Sequence, residues 1–249
     1  MKKVLLLVSI VGFGITANAQ GLKGLIKKAA GKDSSNILNK VLPGANKDSL
    51  TTGDVVSGLK EALETGTNRS VQKLSAVDGF FGDAVIKVLM PEEAKKVEST
   101  LRRLGMGKQV DEAILSMNRA AEDAAKDAAP IFVNAIKGMT IQDAWGILKG
   151  GDSSATKYLR ERTIAQLTEA FRPVIENSLT KVNATKHWNT VFSAYNKVSP
   201  NKVNPDLTAY VTEKAMYGIF YQVAQEEMKI RKDPVARTTD ILKKVFGSK

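Results

Sequence analysis

Residues 207–232 read LTAYVTEKAMYGIFYQVAQEEMKIRK, and this stretch decides the fold that the sequence predicts. On a helical wheel its apolar residues, Tyr217 among them, cover roughly 240° of arc, and only Lys214, Gln222, Gln225 and Lys229 share the narrow polar side. A helix that is apolar over most of its surface is buried over most of it. The pattern therefore predicts that residues 207–232 form the central helix of a helical bundle.

The sequence before and after this stretch also has a helical pattern. Apolar residues recur with a period of about 3.6, and we find no convincing alternation of the kind that strands show. The stretch TIQD at residues 140–143 matches a capping box, and Asp152 or Ser153 is expected to cap a long helix that follows. We predict an all-α fold: a single multi-helix bundle over residues 50–249, with its central helix in the C-terminal half.

The first 19 residues have the three parts of a secretory signal peptide. Two lysines precede an apolar run at residues 4–15, and Ala17-Asn18-Ala19 is the small-x-small pattern that a signal peptidase cleaves. The apolar run is shorter than the roughly 20 residues that span a bilayer. We predict cleavage after Ala19, which leaves Gln20 at the new N-terminus of a periplasmic or secreted protein that is not transmembrane.

Residues 20–49 form a weakly ordered N-terminal segment in this interpretation. Leu22, Leu25 and Ile26 fall on one face of a short helical pattern that also carries lysines. Such a helix either touches a membrane surface or docks loosely on the bundle. The remainder, up to Ser49, has the composition of a linker, so we expect the segment to be dispensable for folding.

Charge restricts the partners of the mature chain. The sequence has 37 basic and 26 acidic residues, a formal net charge of +11, and loss of the two signal-peptide lysines lowers it to +9. An anionic small molecule, a lipid head group or an envelope protein is a candidate partner, although lysines spread along the chain also serve solubility. No stretch interleaves basic and aromatic residues as single-strand binders do, so nucleic acid is not expected.

Several kinds of chemistry are missing from the sequence. Cysteine is absent and His187 is the only histidine, which excludes thiol catalysis and thiolate zinc sites and makes a transition-metal site unexpected. We find no serine nucleophile elbow and no phosphate-binding glycine loop. The sequence therefore predicts no cofactor and no catalytic residues, while an enzyme that uses only carboxylates stays open.

One cluster of charged residues stands out. Glu226 and Glu227 fall inside the apolar arc of the central helix, where an unpaired charge is costly. Arg231 follows Glu227 by four residues, a favourable order for an ion pair. Three more residues belong to the candidate cluster: Arg237 and Asp240 near the last helix, and Arg119, which points away from the apolar stripe of its own helix. The cluster is either a structural ion-pair network or a polar pocket in which arginines clamp an anionic ligand.

Several short motifs then suggest a relationship. They occur in this order: SMNRAAE at 116–122, DA at 143–144, ILKGG at 147–151, ATKY at 155–158, YVTEKA at 210–215, EE at 226–227, IR at 230–231, RTTD at 237–240 and LKKVFG at 242–247. With these motifs the chain resembles a bacterial exported family, domain-of-unknown-function family 4197, over roughly residues 50–247. The resemblance implies a helical, envelope-associated protein and assigns no activity. Met216-Tyr217-Gly218 stands where the family usually has Leu-Asp-Gly.

The sequence therefore leads to one main hypothesis about function and two alternatives. The main hypothesis is an exported, non-enzymatic binding or structural protein of the cell envelope. The first alternative is an enzyme or an anion-binding protein that uses the Glu/Arg cluster. The second is a module that binds a partner protein through the face of a helix, for which an exposed apolar patch would be the sign.

Overall fold

The structure is a computed structural model, and it describes residues 51–198, 202, 206–237 and 239–247. Within these residues the secondary structure is helical and contains no strand, which confirms the all-α prediction. The described residues form nine α-helices: α1 Thr52–Leu74, α2 Lys95–Arg103, α3 Gly107–Ala125, α4 Ala128–Lys137, α5 Ile141–Lys149, α6 Ser154–Lys181, α7 Ala184–Val198, α8 Leu207–Lys232 and α9 Asp240–Gly247. The predicted signal peptide and the predicted weakly ordered segment at residues 20–49 lie outside the described residues.

Helix α8 is the central helix, as its sequence predicts. It packs against α6, α1 and α3, and side chains from Leu207 to Ile230 are buried along its whole length. Two assignments from the helical wheel were wrong. Tyr217, placed in the apolar arc, is half exposed, whereas Gln222, placed on the polar side, is buried because α1 covers it and Lys73 donates to its side-chain oxygen.

The helix starts differ in how they are capped. Thr140 and Asp143 form the predicted capping box at the start of α5, with Thr140 Oγ1 accepting from Asp143 N at 3.1 Å. Ser153 is the N-cap residue of α6, but its side chain accepts no capping hydrogen bond. The first amides of α6 therefore need acceptors from elsewhere in the fold.

A long connection between α1 and α2 packs onto the central helix. Phe80 is fully buried, and a Cβ atom added at Gly218 of α8 would lie only 2.3 Å from its ring. A glycine at position 218 therefore permits the close approach of the two segments. Residues 85–90 contain a turn followed by irregular structure, and they are not helical.

None of the helices that the structure describes combines the length and the apolar character that are needed to cross a membrane.

Candidate functional site

Glu227 and Arg231 form a buried ion pair one turn apart on α8. Arg231 Nε donates to Glu227 Oε1 at 2.9 Å, and the two side chains are only 8% and 6% exposed. Glu227 also accepts from the backbone amides of Ala155 and Thr156 at 2.9 and 2.8 Å and from the Thr156 hydroxyl at 2.8 Å. Four donors thus share one carboxylate, which is how a buried charge is stabilised.

The two charges of the pair complement the ends of two other helices. Ala155 and Thr156 lie in the first turn of α6, so Glu227 supplies the acceptor that Ser153 does not. Arg231 Nη2 donates to Ile147 O at 2.8 Å, in the last turn of α5. A negative charge at a helix N-terminus and a positive charge at a C-terminus both oppose the helix dipole favourably. The pair therefore joins α8 to the turn between α5 and α6.

The space beside this pair is small. A cavity of about 20 Å³ lies among Glu227, Arg231, Phe246 and apolar side chains of α1. That volume accommodates about one water molecule. The Arg231 guanidinium is 5.9 Å from the centre of the Phe246 ring, which covers it from α9.

Glu226 belongs to a different network from its neighbour Glu227. It is buried against α1, where its Oε1 accepts from Lys229 Nζ at 2.6 Å and its Oε2 lies 3.9 Å from Arg69 Nη1. Gln222 lies beside it and accepts from Lys73 Nζ at 2.9 Å. Adjacent positions on a helix point about 100° apart, so consecutive glutamates contact different helices.

Arg119 is in a third place, on α3. Its Nη1 donates to Glu122 Oε2 at 2.6 Å and its Nη2 to Asp78 Oδ1 at 2.7 Å. The bonds to Glu122 and then to Asp78 raise the pKa of Arg119 above its usual value, so its charge is fixed. Glu122, which is buried, also accepts from the amides of Phe80 and Phe81 at 3.1 and 3.2 Å.

Two residues of α3 that bind the connection between α1 and α2 were not predicted from the sequence. Glu122 orients Arg119, and Asn118 accepts from Val88 N and donates to Val88 O, both at 2.8 Å. Both residues are part of the SMNRAAE motif at 116–122, and the spacing of three between Arg119 and Glu122 was the available signal. Their backbone partners lie about 30 to 40 residues earlier, which no local pattern indicates.

The last two candidates, Arg237 and Asp240, do not join the buried pair through their side chains. Arg237 Nε donates to Ile230 O at 3.0 Å and its Nη2 to Arg231 O at 2.8 Å, so it caps the C-terminus of α8. Asp240 is exposed and pairs with Lys243 at 3.3 Å. The six candidates therefore fall into separate local arrangements instead of one pocket.

The structure instead has a wide groove at another place, which we call the Tyr210 groove. Its walls are residues 85–93, Trp188 of α7 and the first half of α8, and its volume is about 640 Å³. This size falls in the range of pockets that hold small ligands. Exposed apolar side chains line it: Val85, Leu89 and Tyr217. Tyr210 donates its hydroxyl to Leu89 O at 2.7 Å across the groove.

Charges of both signs border the Tyr210 groove. Burial raises the pKa of Tyr210 to about 12, with further contributions from Glu213, Glu93 and Glu92. Neither Glu93 nor Glu213 forms an ion pair with a described residue. Each of the three lysines that border the groove has a contact within the protein. Lys87 Nζ lies 3.6 Å from the centre of the Phe81 ring, Lys214 Nζ lies 5.5 Å from that of Tyr210, and Lys202 donates to the Asn196 carbonyl. Among the described residues, Glu93 and Glu213 are therefore the bordering charged side chains for which no contact of these kinds is seen.

Among the described residues, no group of three or more histidine, aspartate or glutamate side chains is placed to hold a metal ion.

These features define the class of protein: a cysteine-free, all-α bundle in which buried charged side chains bind the ends of helices. The chain belongs to the family described as Protein of unknown function (DUF4197), which matches residues 49–247. This match confirms the resemblance noted in the sequence motifs. Comparisons with curated proteins and with solved structures found no match.

Proposed function

We propose that this chain is an exported, non-enzymatic binding protein of the cell envelope and that the Tyr210 groove is its binding site. The observation that carries the proposal is an open groove of about 640 Å³ that combines exposed apolar side chains with two carboxylates, Glu93 and Glu213, that form no ion pair with the residues that the structure describes. Concave surfaces with an apolar lining and a few polar groups are the usual form of ligand sites.

The contacts of the Glu/Arg cluster favour a structural role over a role as a ligand site. Each oxygen of Glu227 already has two donors, and Arg231 has acceptors on two sides. The cavity of about 20 Å³ beside them has room for a water molecule only. An anionic ligand would have to displace bonds that hold α5 and α6 to α8.

The charges of the groove favour a particular ligand chemistry. Glu93 and Glu213 have no ionic partner among the described residues, whereas the bordering lysines contact rings or a carbonyl. A ligand with a positively charged group would pair with these carboxylates, and its apolar part would cover Val85, Leu89 and Tyr217. Amines with an apolar body and basic peptide segments share this chemistry.

Native mass spectrometry of the protein purified from its own periplasm tests the proposal. Tyr217 lines the groove, and Tyr221 lies one turn further along α8 with its ring centre 6.2 Å from that of Tyr217. We expect a retained ligand in the wild-type protein, its loss in Tyr217→Ala and its retention in the matched control Tyr221→Ala. A wild-type protein without bound ligand, or equal retention in both variants, would contradict the proposal.

The same experiment distinguishes the alternatives. A bound anion that is lost in Arg231→Ala but kept in Tyr217→Ala would favour the Glu/Arg site, with binding or catalysis there. A stoichiometric protein adduct that depends on an exposed helix face would favour a protein-interaction module.

Export rests on the signal-peptide pattern at residues 1–19. Cell fractionation with a periplasmic marker and a cytoplasmic marker tests the location. Recovery of the full-length chain with the cytoplasmic marker would contradict an envelope role.

A further inference from the structure

Residues 88–91, at the wall of the Tyr210 groove, have backbone features of a β-strand. Asn118 of α3 accepts from Val88 N and donates to Val88 O, both at 2.8 Å. One carboxamide reaches both groups of a residue only when they point the same way, as they do in extended backbone. Pro91 is also extended, at φ −61° and ψ 155°, and Met90, which precedes a proline, favours the same region. The Asn118 side chain therefore takes the place of a neighbouring strand on one edge of this segment.

The backbone groups of the next residue, Leu89, belong to the other edge. Leu89 O accepts from the Tyr210 hydroxyl of α8 at 2.7 Å, whereas Val88 is bonded to α3. Burial changes in the same way, because Val88 is buried and Leu89 is half exposed. Successive residues of a strand alternate in this manner. The N–H of Leu89 therefore lies on the same edge as its carbonyl group, and this edge borders the groove.

This second edge is open among the residues that the structure describes. Leu89 N forms no hydrogen bond with any of them, and Leu89 O keeps a second lone pair beside its bond to Tyr210. An unpaired N–H and C=O on a strand edge are a template for another extended chain. The groove of about 640 Å³ provides space beside them.

We propose that the ligand of the Tyr210 groove is an extended peptide segment whose backbone pairs with Leu89, in the manner of β-strand addition. This inference rests on the proposed function and selects one of the two ligand chemistries named there. An amine can pair with the carboxylates of the groove, but it supplies no acceptor for Leu89 N. A peptide supplies that acceptor, a donor for Leu89 O, and side chains on both sides of its own backbone.

Position, and not net charge, restricts the side chains of the peptide. The charged residues that line the groove are three lysines and three glutamates, so their sum favours neither sign. Glu92 pairs with Lys95 at 2.6 Å, whereas Glu93 and Glu213 form no ion pair with a described residue. A basic side chain of the peptide would pair with one of these two carboxylates, and an apolar side chain would pack on Tyr217.

Binding of synthetic peptides to the full mature protein tests the pairing. The probe is a pool of acetylated and amidated hexapeptides in which valine or leucine alternates with lysine or serine. Mass spectrometry identifies the members that the wild type retains and Tyr217→Ala does not. Methylation of one backbone nitrogen at a time then removes one donor and leaves charge and side chains unchanged. We expect about tenfold weaker binding at the nitrogen that donates to Leu89 O and little change at its two neighbours, which point away.

Two substitutions at one position test the protein side of the pairing. Leu89→Pro and Leu89→Ala both remove the leucine side chain, but only Leu89→Pro removes the N–H. We expect the proline variant to bind the selected peptide about tenfold more weakly than the alanine variant. Circular dichroism checks that both are folded. In the wild type, which needs no variant, the peptide should slow hydrogen exchange of the Leu89 amide at least tenfold.

Three outcomes would overturn the proposal. The first is a pool from which the wild type retains no more than Tyr217→Ala does. The second is equal weakening by methylation at every nitrogen, because backbone pairing then has no role. The third is a wild-type dimer that Leu89→Pro abolishes and Leu89→Ala keeps, because a second copy of the chain then occupies the edge. If native mass spectrometry finds a small amine that Tyr217→Ala loses while no peptide binds, the groove stays a binding site and the peptide is excluded.

Discussion

Replacing Glu227 by glutamine would remove the negative charge that joins α8 to the first turn of α6. The carboxylate accepts bonds from Ala155, Thr156 and Arg231, and the isosteric amide has one acceptor oxygen instead of two. At least one buried N–H is then left without an acceptor, at a cost of about 1–3 kcal/mol. Arg231 also loses its counter-charge. We expect a total loss of about 3–5 kcal/mol, as for other broken buried pairs.

Arg231→Ala should cost somewhat less, and the two changes should not add. Without Arg231, Glu227 keeps three donors at the start of α6, while Ile147 O loses one donor. In the double variant neither charge is left unpaired. We expect its loss to be smaller than the sum of the single losses by about 1–3 kcal/mol.

Urea unfolding of the wild type, both single variants and the double variant measures this coupling. The chain contains a matched control pair, Glu98 and Arg102 of α2, which has the same spacing of four and an Nε to Oε1 distance of 3.0 Å. That pair is partly exposed. Its cycle should therefore give a coupling much smaller than that of the buried pair, because exposed ion pairs are screened by solvent.

Two results would refute the reasoning. Losses below about 0.5 kcal/mol for Glu227→Gln, in the range of surface substitutions, would mean that the carboxylate is solvated. A gain in stability for Arg231→Ala would mean that the arginine is held against other cations for a missing anion, as a ligand clamp requires.

Three further predictions concern the N-terminus and the packing of α8. Intact mass of the exported protein should lack residues 1–19, and a mature chain that still begins at Met1 would contradict the assigned signal. A chain that starts near Leu50 should melt within a few degrees of the mature protein, whereas collapse of the thermal transition would place residues 20–49 in the core. Gly218→Ala should destabilise by about 1–3 kcal/mol, because its Cβ would overlap the buried Phe80 ring. The control Gly146→Ala has no atom within 4 Å of its Cβ and should be neutral or stabilising. Equal melting temperatures for the two alanine variants would show that the ring moves without cost.

The fold was predictable from the sequence because most helices have a clear apolar stripe or cap. The central position of α8 follows from the width of its apolar arc, and the start of α5 follows from its capping box. The helical wheel predicted the wrong burial for Tyr217 and Gln222. It shows whether a residue is polar or apolar, but not which element of the fold packs against it. At Gln222 that element is α1 with Lys73, 149 positions earlier in the chain.

Only the contacts of the candidate site that form within one helix were predictable from the sequence. A spacing of four residues predicts that Glu227 pairs with Arg231, since both residues belong to one helix. The amides of Ala155 and Thr156 lie about 70 residues earlier and depend on how α6 packs against α8. Glu226 and Glu227 were grouped because both fall inside the apolar arc of the wheel, although adjacent helical positions face different neighbours.

The distribution of partners among the charged groups separates structure from function. Glu227, Arg231, Arg237 and Glu122 each bind backbone amides or carbonyls of a helix end or a connection. A chain without disulfides fixes its connections in this way, because each buried backbone group requires a partner. The carboxylates of the Tyr210 groove do not serve a backbone group among the described residues, and the apolar side chains beside them contribute little to the core. Residues that the fold does not need are the ones that a ligand can use, which is why we propose a binding role for the groove and a structural role for the Glu/Arg cluster.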